Sequence, residues 1–115
     1  MFSLLDLKPL KKEEEFTFVF KNKIESINIS SYKAMLTWND SGNINYGFIL
    51  PKKYLKLAVN RNYIRRLVKQ TLRELDPVKG FNFIFMIRSK VASFEKEEVK
   101  KNVEELKTKL ELVLQ

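Results

Sequence analysis

"LAVNRNYIRRLVKQTLREL", Leu57 to Leu75, reads as one amphipathic helix. Ile64, Leu67, Val68, Thr71, Leu72 and Leu75 recur at helical spacing and form a mostly apolar stripe. Arg61, Arg65, Lys69 and Arg73 recur every fourth residue and drift slowly round the other side, with Asn62 and Arg66 beside them. The pattern predicts a central helix whose apolar stripe docks on a sheet while its cations face out.

The charge around this helix is unbalanced. The chain holds 22 lysines and arginines against 14 acidic residues, a net charge of +8. Within residues 51–75, Lys52, Lys53, Lys56, Arg61, Arg65, Arg66, Lys69 and Arg73 oppose Glu74 alone, so nearly all of the excess is local. A solvated basic face laced with salt bridges would need acidic partners one turn away, and only Glu74 is at hand. A local excess of this kind points to a polyanion, with nucleic acid ahead of an anionic membrane or an acidic protein. Four of the five helix cations are arginines, which suits bidentate phosphate contacts.

Working outward, "SSYKAMLTW" alternates at Tyr32, Ala34, Leu36 and Trp38, "NDSG" supplies turn residues, and "NINYGFIL" alternates again at Ile44, Tyr46, Phe48 and Leu50. This is a hairpin signature, with Pro51 ending the second strand. Upstream, a first helix is expected from about Lys12 to Phe20. Glu13, Glu14 and Glu15 suit the dipole of its first turn, and Phe16, Val19 and Phe20 share a face. The stretch 24–30 leaves room for another strand. Downstream, "DPVKG" breaks the central helix and "FNFIFMI" (81–87), apolar on both faces, reads as an inner strand. Ser93 is the expected N-cap of a last helix with a seam of Val99, Val103, Leu106, Leu110 and Val113. The order α-β-β-α-β-α over residues 1–115, with a further strand open at 24–30, predicts a single-domain, two-layer α/β sandwich.

Composition excludes several chemistries. With no cysteine and no histidine, the chain has no disulfide, no thiolate metal site and no Ser-His or Cys-His arrangement. No phosphate-binding glycine loop or calcium loop is present, and no acidic pair stands at catalytic spacing. Asp6, Asp40 and Asp76 need only terminal, turn or capping roles. No apolar run is long enough to cross a membrane and none reads as a signal peptide, so the expected compartment is the cytoplasm. The many aromatics are either core or stacking platforms for single-stranded nucleic acid.

Ala58-Val59-Asn60-Arg61-Asn62-Tyr63-Ile64-Arg65-Arg66 resembles the A-V-x-R-N-R-[IL]-[KR]-R signature of the bacterial ribonuclease P protein subunit. The resemblance extends to "LKKEEEFTFVFK", "GFILPKK" and "FNFIFMIRSKVASFEKEEVKKNVEEL", which are similar to the family's opening, its strand end before the lysine pair, and its last strand and helix. Tyr63 stands where the family has a third signature arginine, and Pro51 where it has a serine. One residue more than the family pattern separates Lys53 from Arg61.

The resemblance implies an α/β (α+β) sandwich, order α-β-β-(β)-α-β-α, with a small, mostly antiparallel sheet and a left-handed βαβ crossover. It implies a protein that binds ribonuclease P RNA and precursor tRNA. That RNA, with Mg²⁺ bound mainly by the RNA, removes the 5′ leader, and the chain itself carries no catalytic residue and no metal site. It implies contacts to the catalytic RNA from Arg61, Asn62, Arg65, Arg66 and Lys69. It implies a leader cleft between the first helix and the sheet, drawing on Phe16, Phe20, Lys52, Lys53, Arg88 and Lys90 and on a strand aromatic. The expected assembly is a monomer in a one-to-one ribonucleoprotein. A general RNA-binding or ribosome-associated module explains the basic helix equally well. A DNA-binding regulator and a free-standing nuclease are weaker alternatives.

Overall fold

The apolar run at 81–87 takes the centre of the sheet. A computed structural model describes residues 6–115, as β1 (Leu7–Pro9), α1 (Glu13–Asn22), β2 (Glu25–Ile29), β3 (Tyr32–Trp38), β4 (Ile44–Ile49), α2 (Ala58–Arg73), β5 (Phe81–Ile87) and α3 (Lys96–Val113). The strands lie in the order β1-β4-β5-β3-β2. β5 pairs antiparallel with β3 and parallel with β4. The α/β sandwich is as predicted, and the strand left open at 24–30 is β2.

Two expectations are corrected. β3 and β4 do not form a hairpin, because β5 inserts between them and buries both of its edges. The tight hairpin is instead β2–β3, where Ile29 pairs with Tyr32 across Ser30 and Ser31 and Ser30 takes a positive φ of 54°. The sheet is mixed, with the antiparallel pairs the more numerous. β1 also joins β4 in parallel, so two ladders run each way. Finally, α3 begins after Glu95 rather than Ser93, with Glu97 and Glu98 in its first turn.

Strand alternation divides the molecule into two cores. Ile44, Phe81, Phe83, Phe85, Leu36 and Ala34 face α2 and α3, which supply Ile64, Val68, Leu72, Val103, Leu106 and Leu110. On the opposite face, Met35 and Ile84 meet Val19 of α1 and Leu10, with Phe16, Ile49 and Met86 at the margin. The first core is the larger. Burying a large apolar side chain contributes about 1.5–3 kcal/mol, so most of the fold's stability resides there. The smaller core leaves much of its sheet face to other uses.

Candidate nucleic-acid interface

Ile64, Val68 and Leu72 are completely buried beneath α2, so the docked stripe is as predicted. The cations do not all face out. Arg61 is only 8 % exposed. Its Nη1 donates to the carbonyls of Leu55 at 2.8 Å and Lys56 at 2.7 Å. The signature arginine thus folds back under the turn that precedes its own helix and satisfies two carbonyls that a loop would otherwise leave without partners. The remaining cations are on the surface or half-buried. Arg65 donates from Nη1 to Asn62 Oδ1 at 2.7 Å, which holds the guanidinium in place. Lys69 places its Nζ 5.4 Å from the ring centre of Tyr46. Among the described residues the ion pairs are Lys100–Glu97, Lys107–Glu74 and Lys109–Glu105, and none engages a cation of α2 or of the turn before it. The cations of this face are therefore not tied up in contact ion pairs among the described residues.

Tyr63 packs inward toward the start of α3. Its ring meets Phe94 edge-on at 6.0 Å, and Arg66 and Lys96 lie 6.0 and 5.1 Å from its centre. A flat ring here supports Arg66 from beneath by a cation–π contact, which a third arginine would oppose by like charge. Tyr63 Oη is buried without a partner among the described residues.

The carboxyl ends of the parallel pair β4 and β5 gather further cations. Ligands of open α/β sheets characteristically bind at this end of parallel strands. Lys52 and Lys53 stand exposed on the turn after β4, with Lys53 over the ring of Tyr54. That turn is tied to the segment after β5 by a hydrogen bond from Val91 N–H to the Tyr54 carbonyl, 3.1 Å. Arg88 caps the β2–β3 turn, its Nη2 donating to Ser30 O at 3.1 Å and its backbone N–H to Ser31 O at 2.9 Å. Lys90 is exposed and borders a groove on the α3 side, shared with Glu95 and Glu98.

On the α1 face, the Phe16 ring packs against Gly47. A Cβ at Gly47 would stand 2.5 Å from two ring carbons, so only glycine admits the ring. Phe20 is 36 % and Phe18 51 % exposed. Val19 between them is completely buried and anchors the helix. The strand positions on this face are Lys33, Met35 and Thr37 of β3, Asn45, Gly47 and Ile49 of β4, and Asn82, Ile84 and Met86 of β5. None is aromatic, which corrects the expected strand aromatic: Tyr32, Trp38, Tyr46, Phe48, Phe81, Phe83 and Phe85 all belong to the other core. Stacking surface here comes from α1 alone. Phe18 and the asparagines are features that the sequence pattern passed over. The asparagines could have been found from their placement between strictly alternating apolar neighbours.

At the start of α1, Glu15 Oε1 accepts from the backbone N–H groups of Lys11 at 3.0 Å and Lys12 at 2.8 Å. These hydrogen bonds, that of Lys12 foremost, hold the Glu15 carboxyl below the ordinary carboxylate range. Among the described residues, no three histidine, cysteine or acidic side chains come together as metal ligands, and no helix is long and apolar enough to cross a membrane.

The family model described as Ribonuclease P matches residues 5–111. A ribonuclease P protein component from Bacillus cereus is 33 % identical over 96 residues, covering 82 % of this chain and 83 % of the relative. One from Marinobacter nauticus is 27 % identical over 97 residues, covering 84 % and 74 %. Among solved structures, the Staphylococcus aureus RNase P protein superposes with a TM-score of 0.73 at 18 % identity, over 93 % of this chain and 97 % of that one. The Thermotoga maritima RNase P protein gives 0.60 at 18 % identity, over 93 % and 94 %.

Proposed function

This chain belongs to the ribonuclease P protein family, and from that membership we propose that it is the RNA-binding subunit of a ribonucleoprotein that removes the 5′ leader of precursor tRNA. The observation that carries the reading is the cationic face of α2, whose cations make no ion pair among the described residues. Asn62, Arg65, Arg66 and Lys69 contact the catalytic RNA, each cation neutralising phosphate and releasing counterions. Arg61 acts by holding the turn from which Lys52, Lys53 and Lys56 project. The leader lies on the α1 face, where the partly exposed Phe16 and Phe20 offer sequence-tolerant stacking worth about 1–3 kcal/mol per base. Lys52, Lys53 and Arg88 supply phosphate contacts at the carboxyl end of the strands, and Lys90 adds charge from the α3 side.

In this reading the bond is broken by the RNA, and the protein contributes binding and orientation. The Mg²⁺ on which the cleavage depends is held mainly by the RNA. The protein is a monomer in a one-to-one complex. Reconstitution with a ribonuclease P RNA and precursor tRNA at low Mg²⁺ tests this. The protein is expected to stimulate 5′ processing, and more strongly for substrates with a leader than for those without one. Failure to stimulate would overturn the assignment. Equal binding to random and catalytic RNA would favour a general RNA-binding module. Cleavage by the protein alone would overturn the non-catalytic role.

A further inference from the structure

The cationic surface continues beyond α2. Around that helix, Lys69 lies toward Tyr46 of β4, Arg66 stands exposed, and Tyr63 turns to the start of α3. There the exposed Lys96, in the first turn of α3, places its Nζ 5.1 Å from the centre of the Tyr63 ring. The Arg66 guanidinium lies 6.0 Å from the same centre. One ring therefore gathers two cations from two helices that β5 separates in the chain.

Each cation is attracted to the ring, but the two repel one another. Neither makes an ion pair among the described residues. The carboxylates next to Lys96 in sequence serve other surfaces. Glu95 and Glu98 line the groove between α3 and the β2–β3 turn, together with Lys90. Glu97 pairs with Lys100 at 3.9 Å. The Tyr63 hydroxyl does not hold the cluster, since its oxygen is buried without a partner among the described residues. Two converging cations without a bonded carboxylate suit an anion from outside the chain.

We propose that Lys96 is a further contact to the catalytic RNA, and that the Tyr63 ring is the platform that sets it alongside Arg66. The RNA-binding surface then spans α2 and the start of α3. A tyrosine at position 63 admits a second cation from α3 that an arginine there would repel. The anion is RNA phosphate rather than a free phosphate, because the pair adjoins the cationic face of α2 with Arg65 and Lys69. The proposal rests on the RNA-binding reading above.

The test is the salt dependence of binding to ribonuclease P RNA. Lys96→Ala is expected to weaken binding about three- to tenfold at moderate salt, with a slope of log K against log[salt] shallower by about 0.7–0.9. Its thermal unfolding should be unchanged, because the side chain is exposed. Lys96→Arg should restore both affinity and slope. Lys109→Ala removes the same charge from the same helix, at a lysine paired with Glu105 at 3.3 Å, and should leave the slope as it was. Tyr63→Leu should weaken binding in the unaltered protein and less so in a Lys96→Ala background. Tyr63→Phe, which keeps the ring, should reverse that loss. An unchanged slope in Lys96→Ala, or equal effects of Lys96→Ala and Lys109→Ala, would overturn the contact. If Arg65→Ala/Arg66→Ala still loses affinity in that case, the reading of α2 stands without it. No loss in any of these variants would remove that reading and this proposal with it.

Discussion

Arg61 and Arg65 sit one helical turn apart in the same signature, yet the structure gives them opposite surroundings. Helical spacing places both on one row, and that much is legible in the sequence. The burial of Arg61 is not, because it depends on residues 51–57 folding back against the helix, which no periodicity records. The difference is measurable. Arg61→Met leaves the buried Leu55 carbonyl and the part-buried Lys56 carbonyl without this donor and is expected to cost about 2–3 kcal/mol in urea unfolding. Arg65→Ala removes a half-exposed side chain bonded only to Asn62 and is expected to cost about 0.5 kcal/mol or less. Equal losses would contradict the assignment of one as structural and the other as surface. Gly47 gives a second residue-scale prediction. Gly47→Ala forces the Phe16 ring away and should destabilise by about 1–3 kcal/mol. In a Phe16→Leu background the same change should cost clearly less, as a double-mutant cycle would show.

At the scale of elements, most of the chain is readable and the pairing is not. α1, α2, β3, β4 and β5 follow from periodicity and turn residues. The "NDSG" turn between Ala34-Met35-Leu36 and Ile44-Asn45-Tyr46 has the composition of a hairpin. It nevertheless spans a gap that β5 fills from far along the chain. Local turn chemistry cannot report a strand that arrives later, and the three residues of β1 are too few to carry a pattern. The start of α1 carries its own prediction. Glu15 is held below its ordinary pKa by the Lys12 and Lys11 N–H groups, so it stabilises the fold above the unfolded carboxylate pKa. That contribution diminishes as pH falls through the lower folded value. Carboxyl titration by NMR should show Glu15 titrating below the ordinary carboxylate range. Glu15→Gln should remove this part of the acid dependence of Tm, and an unchanged dependence would count against the capping contact. At the β2–β3 turn, Ser30→Gly relieves a positive φ and is expected to stabilise by up to about 1 kcal/mol.

Across the whole molecule, the layers separate two tasks. The large core fixes α2 and presents its cations to one side, while the thin core beneath α1 leaves a polar and aromatic face on the other. Residues 51–75 carry almost all of the chain's net charge of +8. That separation is legible as a charge count and a motif. The pairing of β4 with β5 is not, since it joins strands separated by the whole of α2. The central claim is that the outer face of α2 is the surface that meets the catalytic RNA. The most direct measurement is the salt dependence of protein binding to ribonuclease P RNA, compared between the unaltered protein and Arg65→Ala/Arg66→Ala. Weaker binding is predicted for the double variant, with a slope of log K against log[salt] shallower by about 0.7–0.9 for each phosphate no longer neutralised. An unchanged slope and affinity in that variant would contradict the claim.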